Sequence, residues 1–229
     1  MDILYYSNNT IKGTFIKGIN RKLLETLVLF FILFFPKNAP GFLSIDEISY
    51  SFFWRLPAVV LIILLLESPI LFRPKRDLIV FAAALPALFL TGFLVSLAAA
   101  VTGFLPPEKI RPPGGIQGWT AAILLSLSIG ALEEAFFRVY LPERIMGLQQ
   151  AESAKAGKKT SRSAAPAFIV SAFIFALCHA WEGPWGIANA LLASFVLSIA
   201  YIKSGSFPGI ALAHGLYNIF VFLSVSLIY

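Results

Sequence analysis

The sequence predicts an all-α protein, a polytopic bundle of about seven, or eight, transmembrane helices. Hydrophobic residues make up 58% and charged residues 13% of its 229 residues, and the mean hydropathy is +0.81. These values lie outside the range of soluble globular domains. A helix needs roughly 20 mainly apolar residues to cross a bilayer, and several runs approach or exceed this length. Because lipid offers no hydrogen bonds, each run must satisfy its own backbone as a helix.

Seven apolar segments are expected to form these helices, near residues 23–36, 53–72, 78–105, 119–142, 165–182, 184–203 and 207–228. The polar stretch 1–22 is long for the start of a signal peptide, which favours a short first span instead. Two connectors stand out. The proline-rich Leu105–Gly115 predicts an extended outer loop, and Gln149–Ala165, rich in small and basic residues, predicts a flexible inner connector.

The distribution of charge predicts the orientation in the membrane. The net charge is +6, but the basic residues lie in short groups between apolar runs, which argues against a nucleic-acid partner. If the N-terminus is cytoplasmic, most of the Lys and Arg residues lie inside, and the outer segments hold only Lys37, Arg55, Lys109 and Arg111. The positive-inside rule therefore favours a cytoplasmic N-terminus. The single cysteine, Cys178, excludes an internal disulfide and a Cys-rich zinc site.

The fourth segment places three ionisable residues, Glu133, Glu134 and Arg138, within a membrane helix. Each charged group at that depth costs on the order of 3 kcal/mol, so the group requires pairing, a water-filled cavity or a function. Glu134 and Arg138 are four residues apart and can pair on one helix face. Glu133 points about 100° away, which makes it the free carboxylate. The alternative for the trio is a buried ion-pair network that only fixes helix packing.

The chain has two histidines, and both lie in apolar segments that follow the glutamates. His179 follows Phe175 by four residues, and Asn218 follows His214 by four, so each pair shares a helix face. A lone histidine in such a segment is often a polar bridge between helices. The occurrence of both histidines after the glutamate pair favours a common site.

These motifs, Glu-Glu-x3-Arg at 133–138, Phe-x3-His at 175–179 and His-x3-Asn at 214–218, resemble in order and spacing those of the CAAX protease and bacteriocin-processing family. Phe207-Pro208-Gly209-Ile210 is similar to the start of the family's last motif, so the resemblance covers roughly residues 119–223. One departure is Val139, where the family often has glycine after the motif arginine. The first hundred residues add only hydrophobic spans.

The resemblance implies a glutamic intramembrane protease with no metal or cofactor. Glu133 would be the general base that activates water, and His179 would hold the same water. His214 and Asn218 would donate hydrogen bonds to the oxyanion, with Glu134, Arg138 and Phe175 in support. Residues 119–229 would form the catalytic core and residues 1–118 the N-terminal spans and loops. The expected partners are the lipid bilayer and a membrane-associated peptide or protein substrate.

Family members in eukaryotes remove the last three residues of prenylated C-terminal Cys-a-a-X proteins, whereas many prokaryotic relatives act on other peptides. The resemblance therefore leaves open whether the substrate is prenylated. It implies a multi-pass membrane protein, in the plasma membrane if the source is prokaryotic. One inconsistency remains in this model: at 1.5 Å of rise per residue, the predicted boundaries place His179 about 10 Å closer to the outer surface than Glu133. The fifth helix must tilt, begin later or break near Gly183-Pro184.

Three alternatives remain open at this stage. A zinc protease would use the glutamates and histidines as ligands, but no His-Glu-x2-His pair places two ligands on one helix turn. A cysteine protease would use Cys178, but on a helix its neighbour His179 points about 100° away. A non-catalytic scaffold, a bacteriocin-immunity protein or a transporter would use the same polar groups for binding or packing. Such a scaffold would tolerate Glu133→Gln, whereas a general base would not.

Overall fold

Each predicted apolar segment contains a helix in the computed structural model, which describes residues 11–34, 45–66, 69–104, 113–155 and 164–228. This confirms the all-α class, and the described residues contain no strand. The α-helices are α1 (Ile11–Phe34), α2 (Ile45–Leu65), α3 (Pro74–Val101), α4 (Gly115–Glu134), α5 (Leu141–Lys155), α6 (Ala165–Leu177), α7 (Pro184–Ser204) and α8 (Phe207–Ile228). A π-helical turn, Ala135–Tyr140, joins α4 to α5, and a 3-10 turn, Ala180–Glu182, lies between α6 and α7.

The surface of the bundle is apolar, as expected for a protein surrounded by lipid. Within the described residues, four helical stretches are long and apolar enough to cross a membrane: Pro74–Val101, Gly115–Gln150, Pro184–Ser204 and Phe207–Ser224. Arg55–Leu65 and Ala165–Leu177 are shorter apolar helices. Large apolar side chains on α3, such as Leu78, Ile79 and Phe93, are exposed. The chain is therefore a helical membrane bundle, and the count of seven or eight spans stays a prediction.

Several predicted boundaries were wrong. The fourth segment was expected over 119–142, but the helix starts at Gly115 and continues through the π turn to Lys155. The first part of the predicted flexible connector Gln149–Ala165 is therefore helical, because its Ala, Glu, Gln and Lys residues are good helix formers. Most of the predicted outer loop Leu105–Gly115 lies outside the described residues, and Gly115 already belongs to α4.

Helix α4 is central, packing against α2 on one side and α8 on the other. Two glycines allow α4 and α8 to approach closely. A Cβ atom on Gly130 would lie 2.6 Å from the Gly215 backbone nitrogen and 3.0 Å from the Ala211 carbonyl oxygen. Small residues at such crossings allow helix backbones to pack tightly in membranes. This crossing lies one turn from the glutamates on α4 and beside His214 on α8.

The start of α8 is attached to the start of α3 by a buried polar contact. Ser206 precedes α8 and caps it, because its Oγ accepts a hydrogen bond from the Gly209 N–H at 3.2 Å. The same hydroxyl donates to Asp77 Oδ1 at 2.5 Å, and Asp77 Oδ2 accepts from the Arg73 N–H at 2.8 Å. Asp77 and Ser206 are both buried. These bonds fix where α8 begins, and therefore the height at which it presents His214.

Candidate active site

The predicted pair of Glu134 and Arg138 is present, and it also includes His214 from α8. Arg138 Nε lies 3.1 Å from Glu134 Oε2, and both side chains are fully buried. The other carboxylate oxygen, Glu134 Oε1, lies 2.8 Å from His214 Nδ1. Glu134 thus joins the arginine of its own helix to the histidine of another. The sequence predicted the first contact from spacing, whereas for Glu134 and His214 it predicted a common site but no direct contact.

Glu133 lies on the other side of the same imidazole. Its Oε2 is 3.6 Å from His214 Nε2, so His214 is placed between the two glutamates. The Glu133 side chain is 17% exposed and that of Glu134 is 0% exposed, which leaves Glu133 as the carboxylate that water can reach. Glu133 is therefore free within its own helix, as predicted, but it has a neighbour across the helix crossing.

A π-helical turn follows the glutamates directly, over Ala135–Tyr140. Its six residues are all buried, with Phe136 and Phe137 in the hydrophobic core. A π turn widens the helix and changes the direction of the side chains, and such turns are frequent at functional sites. Ser171 on α6 donates a hydrogen bond to the Phe137 carbonyl oxygen at 2.5 Å. That bond attaches the π turn to the helix that carries Phe175.

Phe175 brings the two histidines together. Its ring centroid is 4.6 Å from that of His179 and 6.1 Å from that of His214. The guanidinium of Arg138 lies over the same ring, 4.6 Å from its centroid. The predicted residues Arg138, His179 and His214 therefore lie around one aromatic side chain, and Glu133 and Glu134 lie beside His214. A cation above an aromatic face is attracted by the ring quadrupole.

The helix that carries Phe175 ends earlier than predicted, before it reaches His179. The helix stops at Leu177 after 13 residues, and His179 lies in the turn that follows, with φ −99° and ψ 12°. Its Nδ1 lies 2.9 Å from the Phe175 carbonyl oxygen, which also accepts a hydrogen bond from the Cys178 N–H at 3.2 Å. The expectation that His179 lies within the helix was wrong, and the break precedes Gly183-Pro184.

Asn218 lies one turn beyond His214 on α8 and is half-buried. Its side chain has no hydrogen-bond partner among the residues that the structure describes. The predicted spacing of four places it on the same helix face as His214. Its amide is therefore available to a ligand, whereas the imidazole of His214 is already held by Glu134.

Two charged residues near the site were missed by the sequence analysis. Arg55, assigned above to an outer segment, is a half-buried residue of α2 that interacts electrostatically with Glu133. The sequence could have identified Arg55, since a single arginine inside an apolar run is a candidate for a functional role. Glu182 lies in the 3-10 turn, and burial raises the pKa of its carboxyl; nearby His179 lowers it, and Glu133 raises it further.

The cysteine alternative is disfavoured by the environment of Cys178, which lies between α6 and the 3-10 turn. Burial raises the pKa of its thiol to about 11, and the nearby Glu133 carboxylate acts in the same direction. A nucleophilic cysteine needs a lowered pKa, because the thiolate is the reactive form. Cys178 therefore has the environment of a packing residue.

Comparison with known proteins agrees with the motifs. Residues 115–220 match the family described as type II CAAX prenyl endopeptidase, Rce1-like. The match is to the family that the three motifs predicted, and it covers slightly less than half of the chain. No curated protein and no solved structure matched the chain. This match and the apolar helices together support an integral membrane protein with a peptidase activity.

Proposed function

We propose that the protein is an intramembrane endopeptidase that hydrolyses a peptide bond near the C-terminus of a membrane-associated protein, with Glu133 as the general base. The observation that carries this proposal is the position of His214 between a buried, paired carboxylate and a second, reachable one. Two carboxylates in different surroundings can take different roles at one site. Glu134 holds the His214 imidazole by a hydrogen bond, so Glu133 is the carboxylate that can activate a water molecule.

In this mechanism Glu133 takes a proton from a water molecule that His179 helps to hold, and the resulting hydroxide attacks the peptide carbonyl carbon. The carbonyl oxygen becomes an oxyanion, which accepts hydrogen bonds from His214 and the Asn218 amide. The tetrahedral intermediate then collapses with cleavage of the C–N bond. The proton held by Glu133 passes to the leaving amine, so the carboxylate is regenerated.

The geometry defines the protonation state that this role requires of His214. Its Nδ1 faces the Glu134 carboxylate, so Nδ1 carries a hydrogen and donates it. Donation to the oxyanion needs a second hydrogen on Nε2, which only the imidazolium has. Arg138 holds Glu134 from the opposite side at 3.1 Å and so keeps the imidazole in one orientation.

Cleavage of two matched peptides tests the proposal. Purified wild-type protein is mixed with a farnesylated Cys-a-a-X peptide or its unprenylated twin, with and without a zinc chelator. We expect chelator-resistant cleavage that Glu133→Gln abolishes, and the twin shows whether the prenyl group contributes to binding. Loss of activity with chelator would replace this proposal by a metal mechanism. Equal cleavage by wild type and Glu133→Gln would remove Glu133 as the base.

The non-catalytic alternative makes a different prediction for the same experiment. A scaffold, immunity protein or transporter of this fold would cleave neither peptide, nor any other peptide near the C-terminus of a membrane protein.

The cytoplasmic orientation of the N-terminus also belongs to the proposal, since substrate proteins would approach from that side. Labelling of cysteines introduced at opposite ends of α3 by a membrane-impermeant reagent measures that orientation.

A further inference from the structure

Basic residues from two helices meet at one end of the bundle, where α3 begins and α7 ends. They are Arg73, Lys75, Arg76 and Lys203. The Asp77 carboxylate joins the two helix ends, since it accepts hydrogen bonds from the Arg73 N–H at 2.8 Å and from the Ser206 hydroxyl at 2.5 Å. Ser206 follows Lys203 by only three residues. The basic residues therefore lie in one small region of the surface.

The carboxylate nearest to these basic residues does not pair with their side chains. Asp77 is buried, and its two oxygens accept the hydrogen bonds from Arg73 N–H and Ser206. Within the part of the chain that the structure describes, the side chains of Arg73, Lys75 and Lys203 are exposed and form no ion pair. Such a group of like charges creates a positive potential that attracts an anion.

An exposed apolar face of α3 extends from Lys75 towards the middle of the bundle. Leu78 and Ile79 follow Lys75 by three and four residues, so they share its helix face. They are 65% and 68% exposed. The same face continues to Phe93, 18 residues or five helical turns beyond Lys75, which is 64% exposed. A basic cluster at the end of a long apolar face matches the two parts of a phospholipid, the phosphate headgroup and the acyl chains.

The orientation proposed above places these helix ends at the cytoplasmic surface. Anionic lipids give that surface a negative potential, which attracts Lys and Arg residues beside a transmembrane helix. The positive-inside rule accounts for basic residues on this side, but it does not require two helix ends to be joined through one carboxylate. Because Asp77 joins them, Arg73, Lys75 and Lys203 are held together and can act on one headgroup.

We propose that the joined ends of α3 and α7 form a binding surface for one anionic phospholipid. Arg73, Lys75 and Lys203 contact its phosphate, and Leu78 and Ile79 contact an acyl chain. A zwitterionic lipid carries a cationic group beside its phosphate, which the basic residues repel, so the surface prefers a headgroup with a net negative charge. A soluble phosphate lacks the acyl chain and leaves the apolar face unused. Lipid binding here involves no catalytic step and does not depend on the proposed peptidase activity.

Lipid binding to the purified full chain in detergent at low salt tests this surface. Native mass spectrometry measures the apparent Kd for phosphatidylglycerol, which is anionic, and for phosphatidylcholine, which is zwitterionic. The variant Lys75→Gln, Lys203→Gln removes two exposed charges from the surface, and the control Arg21→Gln, Lys22→Gln removes two exposed charges from α1. We expect wild type and control to prefer phosphatidylglycerol, and the Lys75→Gln, Lys203→Gln variant to bind it about 30-fold more weakly.

Three results would overturn the proposal. Equal losses of affinity in the two double variants would mean that the whole basic side of the protein attracts lipid, with no defined surface. Equal affinity of the wild type for the two lipids would remove the preference for a negative headgroup. Displacement of phosphatidylglycerol by an equal concentration of inorganic phosphate or of an acidic peptide would replace the lipid by a soluble ligand. Melting temperatures without lipid should match the wild type for both variants, because all four substituted side chains are exposed.

Discussion

Replacing Gly130 with alanine perturbs the helix crossing on which the site depends. The added Cβ would lie 2.6 Å from the Gly215 nitrogen, 2.9 Å from its Cα and 3.0 Å from the Ala211 oxygen. All three are backbone atoms, so no side-chain rotation relieves the contact. To restore an ordinary contact of 3.4 Å to the Gly215 nitrogen, the helices must separate by about 0.8 Å.

That separation has consequences for stability and for activity. If α8 moves away as a unit, the distance from His214 Nδ1 to Glu134 Oε1 increases from 2.8 Å to about 3.6 Å, too long for a hydrogen bond. Overpacking of this kind costs about 1–3 kcal/mol of folding free energy. A displacement near 1 Å in a catalytic group reduces the rate by about 100-fold. The Glu134–Arg138 contact lies within one helical rod and is expected to persist.

Thermal denaturation in detergent and peptide cleavage measure these two effects. Gly147→Ala is the matched control, because nothing lies within 4 Å of a Cβ at that position on α5, and alanine is favoured over glycine in a helix by about 0.5–1 kcal/mol. We expect Gly130→Ala to lower both the melting temperature and the cleavage rate, and Gly147→Ala to lower neither. If the two variants behave alike, the close crossing does not position His214.

Three other substitutions test separate parts of the structure in the same assays. Ser171→Ala removes the donor to the Phe137 carbonyl oxygen and should lower the free energy of unfolding by about 1 kcal/mol. The control is Ser224→Ala, at an exposed serine whose hydroxyl donates within its own helix, and it should not change stability measurably. Equal stability of the two variants would contradict the role of Ser171. Asp77→Ala removes the acceptor of the Ser206 hydroxyl and should lower the free energy of unfolding by about 1–3 kcal/mol. Asp77→Asn retains one acceptor oxygen and should lose less stability. Equal stability of the two variants would argue against the contact. Burial raises the pKa of Glu182, so the folded state binds its proton more tightly than the unfolded state, and stability should fall as pH rises from about 4.3 to the raised pKa. Glu182→Gln should remove this decrease in stability with pH, and at neutral pH its melting temperature should be higher than that of the wild type. If the stability of the wild type and of the variant depends on pH in the same way, the decrease does not come from Glu182.

The helices and one ion pair were predictable because each depends on local sequence. Apolar length predicts a membrane helix whatever lies beside it, and a spacing of four places Glu134 next to Arg138 without reference to any other helix. The three family motifs could be identified because each is defined by the spacing of its residues along the sequence. One sequence was therefore sufficient to predict these features.

The features that the sequence did not predict depend on contacts between helices. Hydropathy measures how long a stretch is apolar, not where its hydrogen bonding changes, so neither the π turn nor the end of α6 at Leu177 was visible. The contact between His214 and Glu134 exists because two glycines let α4 and α8 approach. Arg55 was assigned to an outer segment because the positive-inside count treats an arginine near the end of an apolar run as a marker of topology.

The central claim is that Glu133 accepts the proton of the attacking water, and the single-turnover rate of peptide cleavage tests it most directly. Glu25→Gln serves as the control, since Glu25 accepts hydrogen bonds from Tyr140 and Arg144 away from the site and glutamine retains an acceptor. With saturating enzyme, Glu133→Gln should lower the cleavage rate by about 100-fold to 10,000-fold, with peptide binding and melting temperature close to wild type. A rate for Glu133→Gln equal to those of wild type and Glu25→Gln would contradict the account.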